Sequence, residues 1–240
     1  GEIGYPSVLT TPTWGFYDVA FKGKNFKLSQ NYGSYVMENI LFKISFPAEF
    51  HSQTAAEAAV KLHPIVKDRL SDIKSIKIKT HESAIRIISK VGPLNNPADR
   101  DHCLQYMIAV PLAFGNLTAE HYEDEFHHSN PIIDALREKM TVEEEPRYTA
   151  EYLESEKRSI ANSLQIFFND GSVTDEIEIN YPVGHRRRRE EGIPLLEEKF
   201  MTNLLTAFTR DRCNAIYDLC KDQEKLENTR VNEFMDLFVP

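Results

Sequence analysis

The alternation of apolar and polar residues changes period several times along this chain, and each change marks an element. From Ile73 to Thr80, isoleucines at 76 and 78 alternate with lysines at 77 and 79. That period of two predicts a half-buried strand. Ahead of it, Ala55, Ala58, Ala59 and Leu62 recur at helical spacing behind Thr54, with Glu57 three residues on. This reads as a helix opened by a capping box and ended or kinked by Pro64. A second helix is expected from Asn96-Pro97 to about Phe114, stopped by Gly115, because Asn caps helices, Pro fits the first turn and Gly ends them. Shorter helices are expected over residues 118–125 and 131–139, and the polar stretch 141–155 reads as a surface excursion. Two strands follow, 163–168 and 173–181, joined at Asp170-Gly171, a strong hairpin signal. The remainder reads as helices over 195–209, 211–220 and 232–237. The first 35 residues, rich in Gly, Pro and aromatics, read as irregular chain with one short helix, anchored by Phe21 and Phe26.

This order predicts an α+β fold: a small antiparallel sheet with flanking helices, then C-terminal helices that pack elsewhere. Within 240 residues there is room for one large domain or two modest ones. No apolar run is long enough to span a bilayer, so no membrane role is expected. No basic-then-apolar leader is visible, and a cytoplasmic location is expected.

Charge narrows the function. The formal net charge is −9, which argues against a general polyanion binder, so an anionic small molecule would need a local cationic cluster. Cys103, Cys213 and Cys220 are widely spaced and odd in number, which predicts reduced thiols and no metal site. The run Arg186–Arg189 after His185 resembles a nucleic-acid patch, but it lacks interleaved aromatics and Glu190 and Glu191 follow at once. A solvated turn with local ion pairs or an anion-binding turn is expected there instead, and no nucleic acid partner.

Candidate chemistry gathers in three places. On the helix from Asn96, a 100° step per residue puts His102, Tyr106, Ala109 and Ala113 on one face, opposite Leu104, Met107, Ile108 and Leu112. Arg100 and Asp101 lie in its first turn, at an end that favours anions. The plain alternative is a solvated face. Lys43 and His51 flank the apolar segment "ISFPAEF", where a lysine is either paired or snorkels to solvent. His185 and Arg186 form the third group. Phosphate loops, dinucleotide fingerprints and nucleophile elbows are absent from the sequence.

Several long segments carry a resemblance: residues 4–19 "GYPSVLTTPTWGFYDV", 32–55 "YGSYVMENILFKISFPAEFHSQTA", 92–107 "GPLNNPADRDHCLQYM", 181–194 "YPVGHRRRREEGIP" and the ending "VNEFMDLFVP". Together they resemble the 2-methylcitrate dehydratase family, which also includes decarboxylases acting on cis-aconitate and epimerases. The resemblance implies a large all-helical domain and a smaller α/β lid, with the active site between them. Residues 1–45 and 193–240 would belong to the helical domain, and 46–192 would be the lid. The chain would be the C-terminal half of such an enzyme, lacking an upstream segment that supplies an Asp and His residues, and inactive alone. The implied reaction removes water from 2-methylcitrate, a tricarboxylate, to give 2-methyl-cis-aconitate in propionate catabolism. It uses neither metal nor iron–sulfur cluster nor any other cofactor, and a homodimer is implied. "FKISFPAEFH" points to Lys43 for carboxylate binding and to His51 for proton transfer, and "HCLQYM" points to Tyr106 with His102 beside it. Arg100, His102, His185 and Arg186 are the implied substrate-binding residues. The alternatives are a decarboxylase or epimerase of the same family, or a non-catalytic folded fragment that dimerises.

Overall fold

The computed structural model describes Gly4, residues 6–24, Gly33 and residues 35–239; the side chains of Tyr35 and Met37, and Phe26 entirely, lie outside the described residues. It divides into two compact units, residues 1–40 and 41–240. The first carries α1 (Phe16–Phe21) and α2 (Tyr35–Asn39). Phe21, expected as an anchor, is 40% exposed and meets Phe16 edge-on at 5.3 Å.

The second unit runs in the order α3 (Gln53–Val66), β1 (Ile73–Thr80), α4 (Glu82–Ile88), α5 (Pro97–Asp101), α6 (Leu104–Phe114), α7 (Asp124–Ser129), α8 (Ile132–Arg137), β2 (Met140–Glu144), α9 (Pro146–Leu153), β3 (Asn162–Phe168) and β4 (Ile177–Ile179). It closes with α10 (Arg189–Leu204), α11 (Arg210–Lys221), α12 (Gln223–Asn228) and α13 (Val231–Asp236). The α+β expectation holds.

The sheet order is β2-β1-β3-β4. Pairings β1–β3 and β3–β4 are antiparallel, as expected, but β2 joins β1 in parallel, so the sheet is mixed. The expectation missed β2 because an edge strand of sequence MTVEE buries little and reads as a polar loop. In β1, Ile73, Ile76, Ile78 and Thr80 are buried, and a bulge between Ile73 and Ser75 resets the phase of the pleat. The opposite face carries ion pairs, Lys77 with Glu143 at 2.8 Å and Lys79 with Glu176 at 2.9 Å.

Helix α3 covers the buried face of the sheet. Its small residues Ala55, Ala56, Ala58 and Ala59 let it lie close to β3, β4 and α6. The capping box does not form: the Thr54 hydroxyl donates to the Ile160 carbonyl at 2.5 Å, and Glu57 pairs with Arg188. Pro64 lies within α3, which runs on to Val66.

The long helix expected from Asn96 is two helices. His102 (φ −113, ψ 28) and the extended Cys103 (φ −122, ψ 106) break it between α5 and α6. The helical phase counted from Asn96 therefore does not carry into α6. That helix is buried from Leu104 to Leu112 and almost wholly apolar; its one buried amide, Gln105, is satisfied by the Lys90 N–H and the Ser89 hydroxyl. Gly115 ends it with φ +79, as expected.

The C-terminal helices form a second, smaller core of Leu204, Cys213 and Ile216 with Phe200, Phe208 and Phe238. The described residues include no helix long and apolar enough to cross a membrane.

Candidate functional site

The parallel strands β1 and β2 both end near Thr80 and Glu144. In open α/β sheets, ligands favour the carboxyl ends of such strands. Here the chain places two histidines, a tyrosine and a carboxylate. Glu49 caps a 3₁₀ turn (Phe50–Ser52) that leads into α3, and His51 stands in that turn. His81 directly follows β1 and caps α4, its Nδ1 accepting from the Ala84 N–H at 3.3 Å. Tyr152 comes from the last turn of α9.

His51 is held from several sides. Glu49 Oε1 lies 2.7 Å from its Nδ1, and Glu49 Oε2 accepts from its backbone N–H at 2.8 Å. Its Nε2 lies 3.3 Å from the Tyr152 hydroxyl. Its carbonyl accepts from Asn162 Nδ2 at 2.8 Å, and the same amide reaches the Thr54 hydroxyl at 2.7 Å. The His81 ring stacks on Tyr152 at 4.5 Å, only 5° from parallel, and stands 5.0 Å from the His51 ring.

Electrostatics set the protonation of this group. Burial works to raise the Glu49 carboxyl, but the hydrogen bonds and charge of His51 outweigh it, and the field of His102 adds to them. Glu49 is thus held below the usual carboxylate range. His81 is fully buried, and burial, then the charge of His51, pushes it down to about 4. It is neutral at neutral pH. With Nδ1 accepting from Ala84, its proton sits on Nε2.

That Nε2 finds no partner among the described residues, and neither do Thr80 Oγ1, Ser159 Oγ and Asn162 Oδ1. Thr80 and Asn162 stand on adjacent strands at the same end of the sheet. Buried polar atoms left unpaired are costly, so several at one strand end mark a place where water or a polar ligand fits.

The residues expected from sequence are dispersed. His51 is central to the group. His102 is exposed, paired with Asp101 at 2.6 Å, and its charge reaches Glu49. Tyr106 does not share a face with His102: it is buried, its hydroxyl donates to the His121 carbonyl at 2.5 Å, and burial pushes its phenol far above the ordinary value. Lys43 is exposed, and its ammonium lies 4.9 Å above the Phe50 ring in a cation–π contact. Arg100 is fully buried: its Nε donates to the Tyr122 carbonyl at 2.7 Å, and its other nitrogens meet Asp124 and His127 Nδ1.

His185 is buried beside Tyr181, rings 4.5 Å apart. Burial, then the charges of Arg186, Arg187 and Arg189, pushes it down to about 4. Arg186 and Arg187 both donate to the Glu156 carbonyl, at 2.5 and 3.0 Å. The run is only partly solvated: Arg187 is exposed and its neighbours are half-buried, and besides the local pair with Glu191 the Arg188 guanidinium reaches Glu57 in α3.

Sequence reasoning missed Glu49, Tyr152 and Asn162. Glu49 two residues before His51 was a usable signal, but Tyr152 and Asn162 lie 101 and 111 residues away from His51 and had none. A cavity of about 420 Å³ opens elsewhere, near the start of β2, lined by Lys90, Gly92, Asp134, Arg137 and Met140. The terminal nitrogens of the Arg137 guanidinium are held by Asp134 and by the Gly92 carbonyl, while its Nε has no partner among the described residues. No group of three or more His, Cys, Asp or Glu side chains among the described residues could hold a metal ion.

Residues 46–223 match the MmgE/PrpD C-terminal domain. The chain is 55% identical over 242 residues to the 2-methylcitrate dehydratase of Salmonella typhimurium, covering all of this chain and 50% of that protein. It is 56% identical to the 2-methylcitrate dehydratase of Cupriavidus necator over 99% of this chain and 50% of that one. It is 55% identical to the mitochondrial 2-methylcitrate dehydratase of Yarrowia lipolytica, over all of this chain and 46% of that one. The chain spans about half the length of the curated relatives it matches.

Proposed function

Since this chain belongs to the MmgE/PrpD family, we propose that it is the C-terminal half of a hydro-lyase that converts 2-methylcitrate to 2-methyl-cis-aconitate in propionate catabolism. The observation that supports this most directly is the match of the whole chain, at 54–56% identity, to proteins named for that reaction. The Glu49–His51 group at the strand ends gives the reading its chemistry. Residues 1–45 and 193–240 would join a helical domain, with 46–192 as the lid.

Loss of water from such a substrate needs a base for a carbon-bound proton, an acid for the departing hydroxyl, and cations for the carboxylates. His51 is the proton-transfer group the geometry favours, because its ring is oriented from both nitrogens and its side chain retains 13% exposure. Tyr106 would serve as the second such group only after its bond to the His121 carbonyl breaks. Lys43, exposed, suits carboxylate binding; His102, also exposed, would take a carboxylate only after releasing Asp101. Arg100, His185 and Arg186 already bond within their own chain and would act by holding the helix and turn that border the cleft. The working enzyme is proposed as a cytoplasmic homodimer that needs no metal.

The test uses the full-length enzyme. His51→Ala should lower dehydration of 2-methylcitrate by roughly 100-fold or more, the scale of a lost general base. Unchanged dehydration in both His51→Ala and Tyr106→Phe would overturn the site, and release of CO₂ in place of water would establish the decarboxylase reading. Titration of this 240-residue chain alone with 2-methylcitrate should show no micromolar binding if half of the site is elsewhere.

A further inference from the structure

We propose that Glu49 is a positioning residue for His51: its carboxylate fixes the imidazole proton on Nδ1, which leaves Nε2 as the lone-pair nitrogen facing the Tyr152 hydroxyl. The proposal rests on the function above only for what Nε2 then does to a substrate; the tautomer itself follows from contacts within the chain.

Glu49 grips one residue with both oxygens. Oε2 takes the backbone N–H of His51 at 2.8 Å, and Oε1 faces Nδ1 at 2.7 Å. An ionised carboxylate only accepts hydrogen bonds, so the nitrogen opposite it must carry the hydrogen. Glu49 stays ionised near neutral pH because burial, which would raise it, is outweighed: it accepts from both the ring and the backbone N–H of His51, and it is held below the usual carboxylate range. A neutral imidazole has one N–H, and with that on Nδ1 the other nitrogen can only accept. Tyr152, 3.3 Å from Nε2, is then the donor of that bond.

The surroundings keep the ring from turning over. Asn162 holds the His51 carbonyl at 2.8 Å, which fixes the backbone. The Tyr152 phenol is fixed in turn by its near-parallel stack on His81, whose own orientation is set by the Ala84 N–H. A proton taken up at Nε2 would produce an imidazolium that already has its counter-charge in place, which is how a carboxylate behind a histidine assists proton transfer. Without Glu49, the ring would be free to carry its proton on the wrong nitrogen.

The test is spectroscopic and needs no turnover. Long-range ¹H–¹⁵N correlation of histidine side chains in the ¹⁵N-labelled 240-residue chain, with His51→Asn to assign the signal, reports which nitrogen is protonated. Neutral His51 should be almost wholly the Nδ1–H form. Glu49→Ala should move most of the population to the Nε2–H form, and Glu49→Asp should restore part of it. Tyr152→Phe should shift the Nε2 resonance and leave the tautomer alone. Neutral His51 found with its proton on Nε2 in the unaltered chain would overturn the proposal, as would an unchanged tautomer in a folded Glu49→Ala chain. If Glu49→Ala does not fold, the tautomer of the unaltered chain decides alone. A negative dehydration assay would not alter this result, and a wrong tautomer would not alter that assay, so the two readings fail separately.

Discussion

The Arg188 guanidinium meets the Glu57 carboxylate at two points, 2.7 and 3.1 Å, and so ties the basic turn to α3. The same guanidinium takes both oxygens of Glu191, at 2.8 and 2.7 Å, and donates to the Tyr181 carbonyl at 2.7 Å. Burial lowers its pKa, yet the two carboxylates outweigh burial and hold its proton more tightly than usual. A planar fork makes all these bonds at once, which an ammonium cannot do. Arg188→Lys should therefore destabilise the chain by roughly 1–2 kcal/mol although charge is conserved. The measurement is the midpoint of urea unfolding at constant slope; an unchanged midpoint would show that the fork geometry contributes nothing.

Gly184 positions the same turn. Its φ is +100, and a Cβ built there would stand 2.2 Å from the Phe42 carbonyl oxygen, a backbone atom that cannot step aside. Gly184→Ala should cost more than a strained φ alone, about 3 kcal/mol or above. Thermal unfolding of the variant gives the number, and a melting point within about 1 °C of the parent, less than the roughly 2–4 °C that 1 kcal/mol produces at this size, would refute the clash.

His81 and His185 predict a specific acid response. Both are pushed from 6.5 to about 4 in the fold. Between those values the unfolded chain binds protons that the native chain refuses, so stability rises with pH across the window and is lost as pH falls from about 6.5 toward 4. The full span is worth roughly 3 kcal/mol for each histidine. Glu49 has the opposite origin but the same direction: its lowered pKa stabilises the fold above the ordinary carboxylate value, and that contribution disappears on further acidification. His81→Asn keeps an acceptor for the Ala84 N–H but cannot take a proton. It should flatten the slope of unfolding free energy against pH over 4–6.5 by about half; an unaltered slope would refute the assignment.

How far the sequence reached depended on whether an element announces itself locally. Strand β1 was legible to its end residues because its isoleucines and lysines alternate, and α11 and α13 were legible from their helical spacing. Three failures share a cause. Strand β2 buries so little that its composition is that of a loop. The break at His102–Cys103 has no Gly or Pro to mark it, so the helical phase ran past it and placed Tyr106 beside His102. The Thr54–Glu57 capping box dissolved because both side chains found tertiary partners, Ile160 and Arg188. The site behaves likewise. His51 stood out by its place before a helix, whereas Tyr152 and Asn162 join it only through folding.

Arg100 offers the sharpest separation between a receptor and a support. It is fully buried and bonds the Tyr122 carbonyl, Asp124 and His127, while His127 in turn reaches Asp134 at 3.0 Å and Asp134 holds Arg137. This network joins α5, α7 and α8 around the buried end of Tyr106, whose ring meets His127 edge-on at 5.5 Å. An arginine kept for a substrate carboxylate would leave donors turned outward, and its loss would raise KM with the fold intact. Here the donors turn inward. Arg100→Met should remove a buried cation together with the one donor that Arg100 gives the buried Tyr122 carbonyl, and lower stability by about 3 kcal/mol. Tyr106→Phe deletes one hydroxyl bond to His121 and should cost roughly 1 kcal/mol. Urea unfolding of both variants in this chain measures the two losses, and KM in the full-length enzyme supplies the contrast. An Arg100→Met variant of parental stability, with KM raised tenfold, would return Arg100 to the substrate.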